Sequence, residues 1–200
     1  MLGINQDNLK LNLGCGDKKI QGYLNIDNSE FVDPDYLMDL ENVPYPFRSN
    51  TVIEIRMKSV LEHLAATPKH FFSILQEIYR ICKNQAQIYI ESPYPFHRWQ
   101  IVDFTHQRPI HVEGLRMLDK AHCQKYIDIG SAKTPLAFMY DIDFRVKKFK
   151  YSIDPNAKKH IRNVLGEYDP EKIESYTHLF TNVMATQAIT LEVVKPSNQQ

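Results

Sequence analysis

A strand-like run, LKLNL (9–13), passes straight into Gly14-Cys15-Gly16, and only Asp17–Gly22 separate that turn from a second strand-like run, YLNID (23–27). Glycines at a strand end let the backbone turn sharply and let a ligand approach with no Cβ in the way. The spacing then limits which ligand. A dinucleotide fingerprint, G-x-G-x-x-G, needs a third glycine, where this chain has Lys19. It also needs a following helix, with an acidic residue roughly 20 positions on. Asp27 follows Gly16 by only eleven positions, and at about 1.5 Å rise per residue the gap holds barely a turn or two of helix. A pyrophosphate cradle on a long helix N-terminus does not fit. A ligand with a ribose but no phosphate fits better. The glycine turn would pass beneath its small polar tail, and Asp27, at the end of the second strand, would accept from both ribose hydroxyls.

Further along, YLMDL (36–40) reads as a weaker third strand and ENVPYPF (41–47) as a loop fixed by Pro44 and Pro46. TVIEIRM (51–57) is a β-branched fourth strand and AQIYIES (86–92) a fifth. Thr67 and Pro68 read as the N-cap and first residue of a helix. Behind them Phe71, Leu75, Ile78, Tyr79 and Cys82 recur at helical spacing to about Lys83. Residues 112–129 carry a second helical pattern around Leu115, Leu118, Tyr126 and Ile129. Two long strand-like runs, 143–153 and 183–194, enclose helical material at 156–181. This alternation predicts an α/β domain with a doubly wound, mainly parallel sheet of about seven strands, closed by a C-terminal antiparallel pair. The chain reads as one domain, 1–200, with 195–200 as a flexible tail. Ligands of such sheets bind at the carboxyl ends of the strands, near the switch in strand order.

Composition excludes several function classes. Lysine plus arginine and aspartate plus glutamate both number 24, so no global field draws the chain to nucleic acid or to a membrane surface. No apolar run approaches the ~20 residues that span a bilayer. The first ten residues lack the basic and apolar segments of a secretory leader. Cys15, Cys82 and Cys123 are odd in number and widely spaced, which speaks against a disulfide framework or a zinc knuckle. A cytoplasmic protein with reduced thiols is the expectation.

Several spaced elements now stand in order: LNLGCGDKKIQGYLNID, Asp39-Leu40, NVPYPF, TVIEIRM and SVLEHL. From Leu11 to Leu64 the chain resembles the class I S-adenosylmethionine-dependent methyltransferases, and within them a compact subgroup with the shortened first crossover. The resemblance implies a Rossmann-like fold and S-adenosyl-L-methionine as cofactor. Carried over, it places Leu13, Gly14, Cys15 and Gly16 beneath the methionine part. Asp27 would bind the ribose with Asn28 beside it, Asp39 would accept from the adenine amino group, and Leu40 would pack near the ring. Met57 and Lys58 would face the methionine end.

The acceptor side is expected after the fifth strand, where His97, Arg98, Trp99, Asp103, His106, Arg108 and His111 fall within fifteen positions. A D-x-T-H-x-R run at this place recurs in methyltransferases of this type. Asp103 and His106 are the expected orienter and base, with His97 the alternative base; His63 is as readily structural as catalytic. The SPYP stretch (92–95) resembles the signature of amino-methyltransferases, but it follows the fifth strand and lacks adjacent prolines. His97, Asp103, His106 and His111 lack metal-site spacing, and the end of the fourth strand shows no carboxylate partner, so no metal is expected. The 145–162 segment carries seven basic residues against Asp154 alone, most simply a solvated face. The expected reaction is methyl transfer to a hydroxyl of a small-molecule or sugar/glycan-type acceptor. A methyltransferase for nucleic acid or protein, a nucleotide-linked dehydrogenase and a non-catalytic relative are the alternatives.

Overall fold

The computed structural model describes residues 7–196. Seven strands form one sheet: β1 (Leu9–Leu13), β2 (Leu24–Asp27), β3 (Tyr36–Leu37), β4 (Val52–Lys58), β5 (Cys82–Pro93), β6 (Phe144–Ile153) and β7 (Met184–Val193). Their order is β3-β2-β1-β4-β5-β7-β6. The first five run parallel, and β7 is antiparallel to both β5 and β6. The chain steps outward from β1 to β3 and then returns to β4 on the other side of β1. The carboxyl ends of β1 and β4 therefore flank the topological switch.

One face of the sheet is the core. Leu11, Leu13, Ile55, Met57, Ile88, Ile90, Ile189 and Leu191 point to it and are buried. Against them packs α1 (Pro68–Ile81), through Phe71, Ile74, Leu75, Ile78 and Ile81. The Thr67 hydroxyl caps its first turn by accepting from His70 N at 3.3 Å, and Pro68 stands at N1. The helix stops at Ile81 because Cys82 is already extended and begins β5. A short α2 (Arg98–Val102) follows β5; the expected continuous helix over 112–129 is instead α3 (Val112–Arg116) and α4 (Lys120–Asp128), with Asp119 capping the second, and α5 (Leu136–Met139) leads into β6. The side chain of Asp119 accepts from His122 N and starts a new helix where periodicity alone reads through.

The opposite face is polar. Lys10, Asn12, Glu54, Arg56, Tyr89 and Thr190 alternate with the core residues along the same strands. In a right-handed wound sheet the β1–β2 and β2–β3 connections would lay helices on this face. Here they hold a turn and a single 3-10 turn, Glu30–Val32. The Arg56 guanidinium lies 4.5 Å from the Tyr89 ring centre and donates to Tyr23 Oη at 3.0 Å, and Tyr23 in turn bonds Glu54. Charge pairs and ring stacking thus fill the place of an apolar interface.

Between β6 and β7 a smaller unit, α6 (Ala157–Leu165) and α7 (Ile173–Leu179), packs on its own cluster of Ala157, Ile161, Tyr176 and Val183. The basic run lies largely on β6, the edge strand, where lysines guard against edge pairing. Lys195, expected in the tail, is docked: its backbone N–H donates to Asn84 Oδ1 at 3.0 Å. Residues 197–200 lie outside the described range. Among the described residues no helix is long and apolar enough to cross a membrane.

Candidate functional site

The site begins with the turn that ends β1. Gly14 and Gly16 both adopt positive φ, +62° and +50°. At Gly14 a Cβ would lie 2.5 Å from Val60 Cγ2, so both the backbone and the space require glycine. At Gly16 nothing lies within 4 Å of that position, and the requirement is the backbone alone. Its N–H points at Asp27 Oδ2, 2.9 Å away. Asp27 Oδ1 accepts from Ser29 N at 3.0 Å. An ionised carboxylate has about four lone-pair sites. Two are thus used to hold the turn, and two remain for a ligand.

A cavity of about 300 Å³ opens beside this carboxylate, within the size range of small-ligand sites. Gly14, Gly16, Asp27 and Asn28 form one wall, and Met38, Asp39, Leu40 and Glu41 a second. Ser59, Val60, His63 and Leu64 close it from the β4 side. The second wall is fixed from behind. Glu41 Oε1 accepts from Ala65 N at 2.6 Å, and the Tyr45 hydroxyl donates to Leu40 O at 2.9 Å. Glu77 Oε1 accepts from Tyr45 N, and Arg80 donates to Phe47 O. Asp39 Oδ1 accepts from Glu41 N at 2.9 Å, which aims the carboxylate while leaving lone pairs free.

Six of the ten residues expected around a cofactor line this cavity: Gly14, Gly16, Asp27, Asn28, Asp39 and Leu40. Leu13, Cys15, Met57 and Lys58 do not. Leu13 points into the core, while Met57, packed there too, lines with Cys15 and Lys58 a neighbouring groove that shares Gly14, Gly16 and Ser59 with this cavity. Cys15 is buried, and burial followed by the Asp27 charge pushes its thiol up, so it stays neutral. Lys58 pairs with Glu91 at 3.1 Å on the rim of that groove. The physical reason is a one-residue difference: β4 runs on to Lys58, so the turn facing the cavity starts at Ser59. Met38, Glu41, Ser59, Val60, His63 and Leu64 were not singled out for this role by sequence reasoning. The SVLEHL string directly after the strand was the available signal for four of them.

The loop after β5 divides the expected acceptor-side residues into two groups. His97 is fully buried; Nδ1 accepts from Trp99 N at the start of α2 (Arg98–Val102), and Nε2 donates to Asp154 Oδ2 at 3.1 Å. Both nitrogens are committed, which makes His97 a cap and a tie to the α6 unit rather than a base. His111 likewise caps α3 by accepting from Glu113 N.

His106 lies instead behind His63, which lines the cavity, with ring centres 4.6 Å apart. Its Nδ1 lies 3.0 Å from the carbonyl of Gln100, which can only accept, so Nδ1 carries a proton and the lone pair of the neutral ring is at Nε2. Asp103 is therefore not the group that orients the ring. Its Oδ1 accepts from Thr105 N and Oγ1, at 2.9 and 2.6 Å, and its Oδ2 lies 3.8 Å from His106 Nε2. The Thr105 hydroxyl and N–H hold the Asp103 carboxyl below its ordinary range. Burial, reinforced by the adjacent His106, lowers the pKa of His63. Next to them Glu62, absent from the sequence-based site, is fully buried; burial pushes its carboxyl up, against smaller pulls from the Glu62 and Val60 backbone N–H groups and His106.

No protein-family model matches the chain, and no curated protein does. Solved structures do match it. A SAM-dependent methyltransferase from Archaeoglobus fulgidus superposes with a TM-score of 0.59 at 19% identity, over 93% of this chain and 86% of that one. The YcgJ protein of Bacillus subtilis gives 0.55 at 10% identity, over 98% and 95%. The [4+2]-cyclase SpnF gives 0.51 at 13%, over 95% and 77%. Together with the strand order and the glycine turn, these likenesses show that the chain has the Rossmann-like fold of class I S-adenosylmethionine-dependent methyltransferases.

Proposed function

We propose that the chain is an S-adenosylmethionine-dependent methyltransferase acting on a hydroxyl of a small-molecule or sugar-type acceptor. The observation that carries the cofactor is the cavity at the switch point, where a glycine turn, a half-used carboxylate on β2 and a second carboxylate after β3 converge. In this reading Asp27 takes the ribose diol, Asp39 accepts from the adenine amino group, and Leu40 covers the ring. The methionine end lies over Gly14 and Gly16, toward Ser59, Val60 and His63. The fold alone does not choose the reaction, since the same architecture carries both a methyltransferase and a cyclase.

Methyl transfer from a sulfonium is an in-line displacement, and alignment of donor and acceptor supplies much of its rate. A hydroxyl acceptor must also lose its proton. Behind the cavity-lining His63, Nε2 of His106 carries the lone pair of the neutral ring, with Asp103 Oδ2 3.8 Å away to share the proton. This pair favours oxygen as the acceptor atom.

The test is incubation with methyl-labelled S-adenosylmethionine and a panel of monosaccharides, sugar phosphates and phenols. The reading expects label in an alkali-stable ether. Label appearing only on amines, protein or nucleic acid would overturn the acceptor assignment.

A further inference from the structure

We propose that Glu62, His63 and His106 form a binding site for a divalent first-row transition-metal ion that meets the cavity at His63. One ligand atom from each lies within 4.8 Å of the other two. The hydrogen bonds around them fix which atoms are free. Thr105 has one hydroxyl proton, and it goes to Asp103 Oδ1 at 2.6 Å. Thr105 Oγ1 itself lies 2.9 Å from His63 Nδ1 and must accept there, so the His63 proton is on Nδ1. The carbonyl of Gln100 fixes the His106 proton on Nδ1 in the same way. On both rings the remaining lone pair is at Nε2. An Nδ1–H held by an oxygen acceptor is the arrangement that orients metal-ligating histidines.

Glu62 supplies the independent observation. Its side chain is 0% exposed and no side chain pairs with its carboxylate; the nearby backbone N–H groups of Val60 and Glu62 do not reach either oxygen in hydrogen-bond geometry. A buried carboxylate without a partner is costly, and proteins meet that cost by pairing the group or coordinating it. Here one carboxylate oxygen and one nitrogen of each imidazole share a small volume. A cation satisfies all three. Asp103 Oδ2, 3.8 Å from His106 Nε2 at the exposed side, stays outside this ligand set.

The donor set selects the ion. Two imidazoles and a carboxylate suit zinc, manganese, iron or cobalt, whereas magnesium and calcium prefer oxygen alone. Tetrahedral ligation at about 2.0–2.1 Å puts ligand atoms roughly 3.3 Å apart. The side chains would therefore close by up to about 1.5 Å on loading.

His63 lines the cavity, which places an open coordination position on the acceptor side. Resting on the O-methyl-transfer reading, the ion holds the acceptor hydroxyl there and lowers its pKa. With His106 ligated, Asp103 takes the hydroxyl proton. The oxygen then forms its bond to the methyl carbon as the carbon–sulfur bond breaks, its electron pair passing to sulfur to leave a neutral thioether.

The test needs neither cofactor nor acceptor. The chelator-treated full chain is titrated with Co²⁺ and followed by its d–d absorption, then displaced with Zn²⁺. The structure predicts one site per chain, a higher melting temperature with Zn²⁺, and more than about 100-fold weaker binding in His106→Ala. Glu62→Gln, which preserves volume, and His63→Ala on the half-exposed ring serve as the second and third variants. Loss of the site in these while the far-ultraviolet dichroism is unchanged supports the assignment. Wild-type protein that binds no Co²⁺, or variants that bind it equally well, would overturn it. A separate titration with S-adenosylhomocysteine reports on the cofactor reading, so the two can fail independently.

Discussion

Asp27→Asn separates the two tasks of that carboxylate. In the native chain one oxygen accepts from Gly16 N at 2.9 Å and the other from Ser29 N at 3.0 Å. An amide keeps one oxygen, and its NH₂ must face one of those two N–H donors. One backbone donor therefore loses its partner. Because the site opens to the cavity, water replaces part of that bond, and the folding cost is set at the low end, about 1 kcal/mol. The ligand-side cost is larger. A ribose diol that met two ionised oxygens now meets one neutral oxygen and one donor, a loss of about one charge-assisted bond, roughly 1.5–3 kcal/mol. That is about a 10- to 150-fold rise in Kd. Calorimetric titration with S-adenosylmethionine and S-adenosylhomocysteine, alongside a thermal melt, measures both terms. The reasoning is refuted if Asp27→Asn and Asp27→Ala each bind like wild type while melting near its temperature.

Gly14→Ala should both strain the left-handed turn and push a methyl into Val60; about 1–2 kcal/mol from the backbone and 1–3 from overpacking should appear as a lowered denaturation midpoint, with cofactor affinity falling too. Gly16→Ala has open space at its Cβ and should cost only the backbone component, so a pair of equal melts would contradict the steric account. His97→Ala removes the α2 cap and leaves Asp154 without its buried partner, and should cost about 2–4 kcal/mol of stability; an unchanged melt with lost turnover would instead return His97 to the chemistry. Asp35 accepts from the backbone N–H and then the side-chain amide of Asn25, which hold its pKa below the unfolded value of 3.8. The native state thus binds its proton less readily, so this stabilisation is complete above that value and fades as pH falls through the lower native one. The melting-temperature gap between wild type and Asp35→Asn should be full at neutral pH and close in acid; a gap that widens there would reverse the sign.

The sheet was legible because β-branched runs bounded by glycine and proline recur at regular spacing, and because the absent crossover helix shows as a count of residues. The cofactor wall on β1 and β2 was legible for the same reason: Gly14, Gly16 and Asp27 are placed by strand ends. The β4 side was not, since hydrophobic pattern cannot tell whether Met57 or Lys58 ends a strand, and one residue reverses which side chain faces the cavity. The 112–129 region misled periodicity because a capping aspartate interrupts a pattern that otherwise continues. Glu62 was invisible as a site residue: in SVLEHL a glutamate reads as a solvated residue, and only tertiary packing buries it beside two histidines 43 residues apart in sequence. His97 and His106 carry the same chemistry in sequence. Their partners, a backbone amide and Asp154 for one and a carbonyl for the other, separate a structural ring from an available one.

The most direct test of the central claim is equilibrium titration of the unaltered protein with S-adenosylmethionine, S-adenosylhomocysteine and NAD⁺ in parallel. The account predicts saturable one-to-one binding of the two sulfur nucleosides and none of the dinucleotide, because the short β1–β2 connection builds no pyrophosphate cradle. Binding of NAD⁺, or of none of the three, would contradict it.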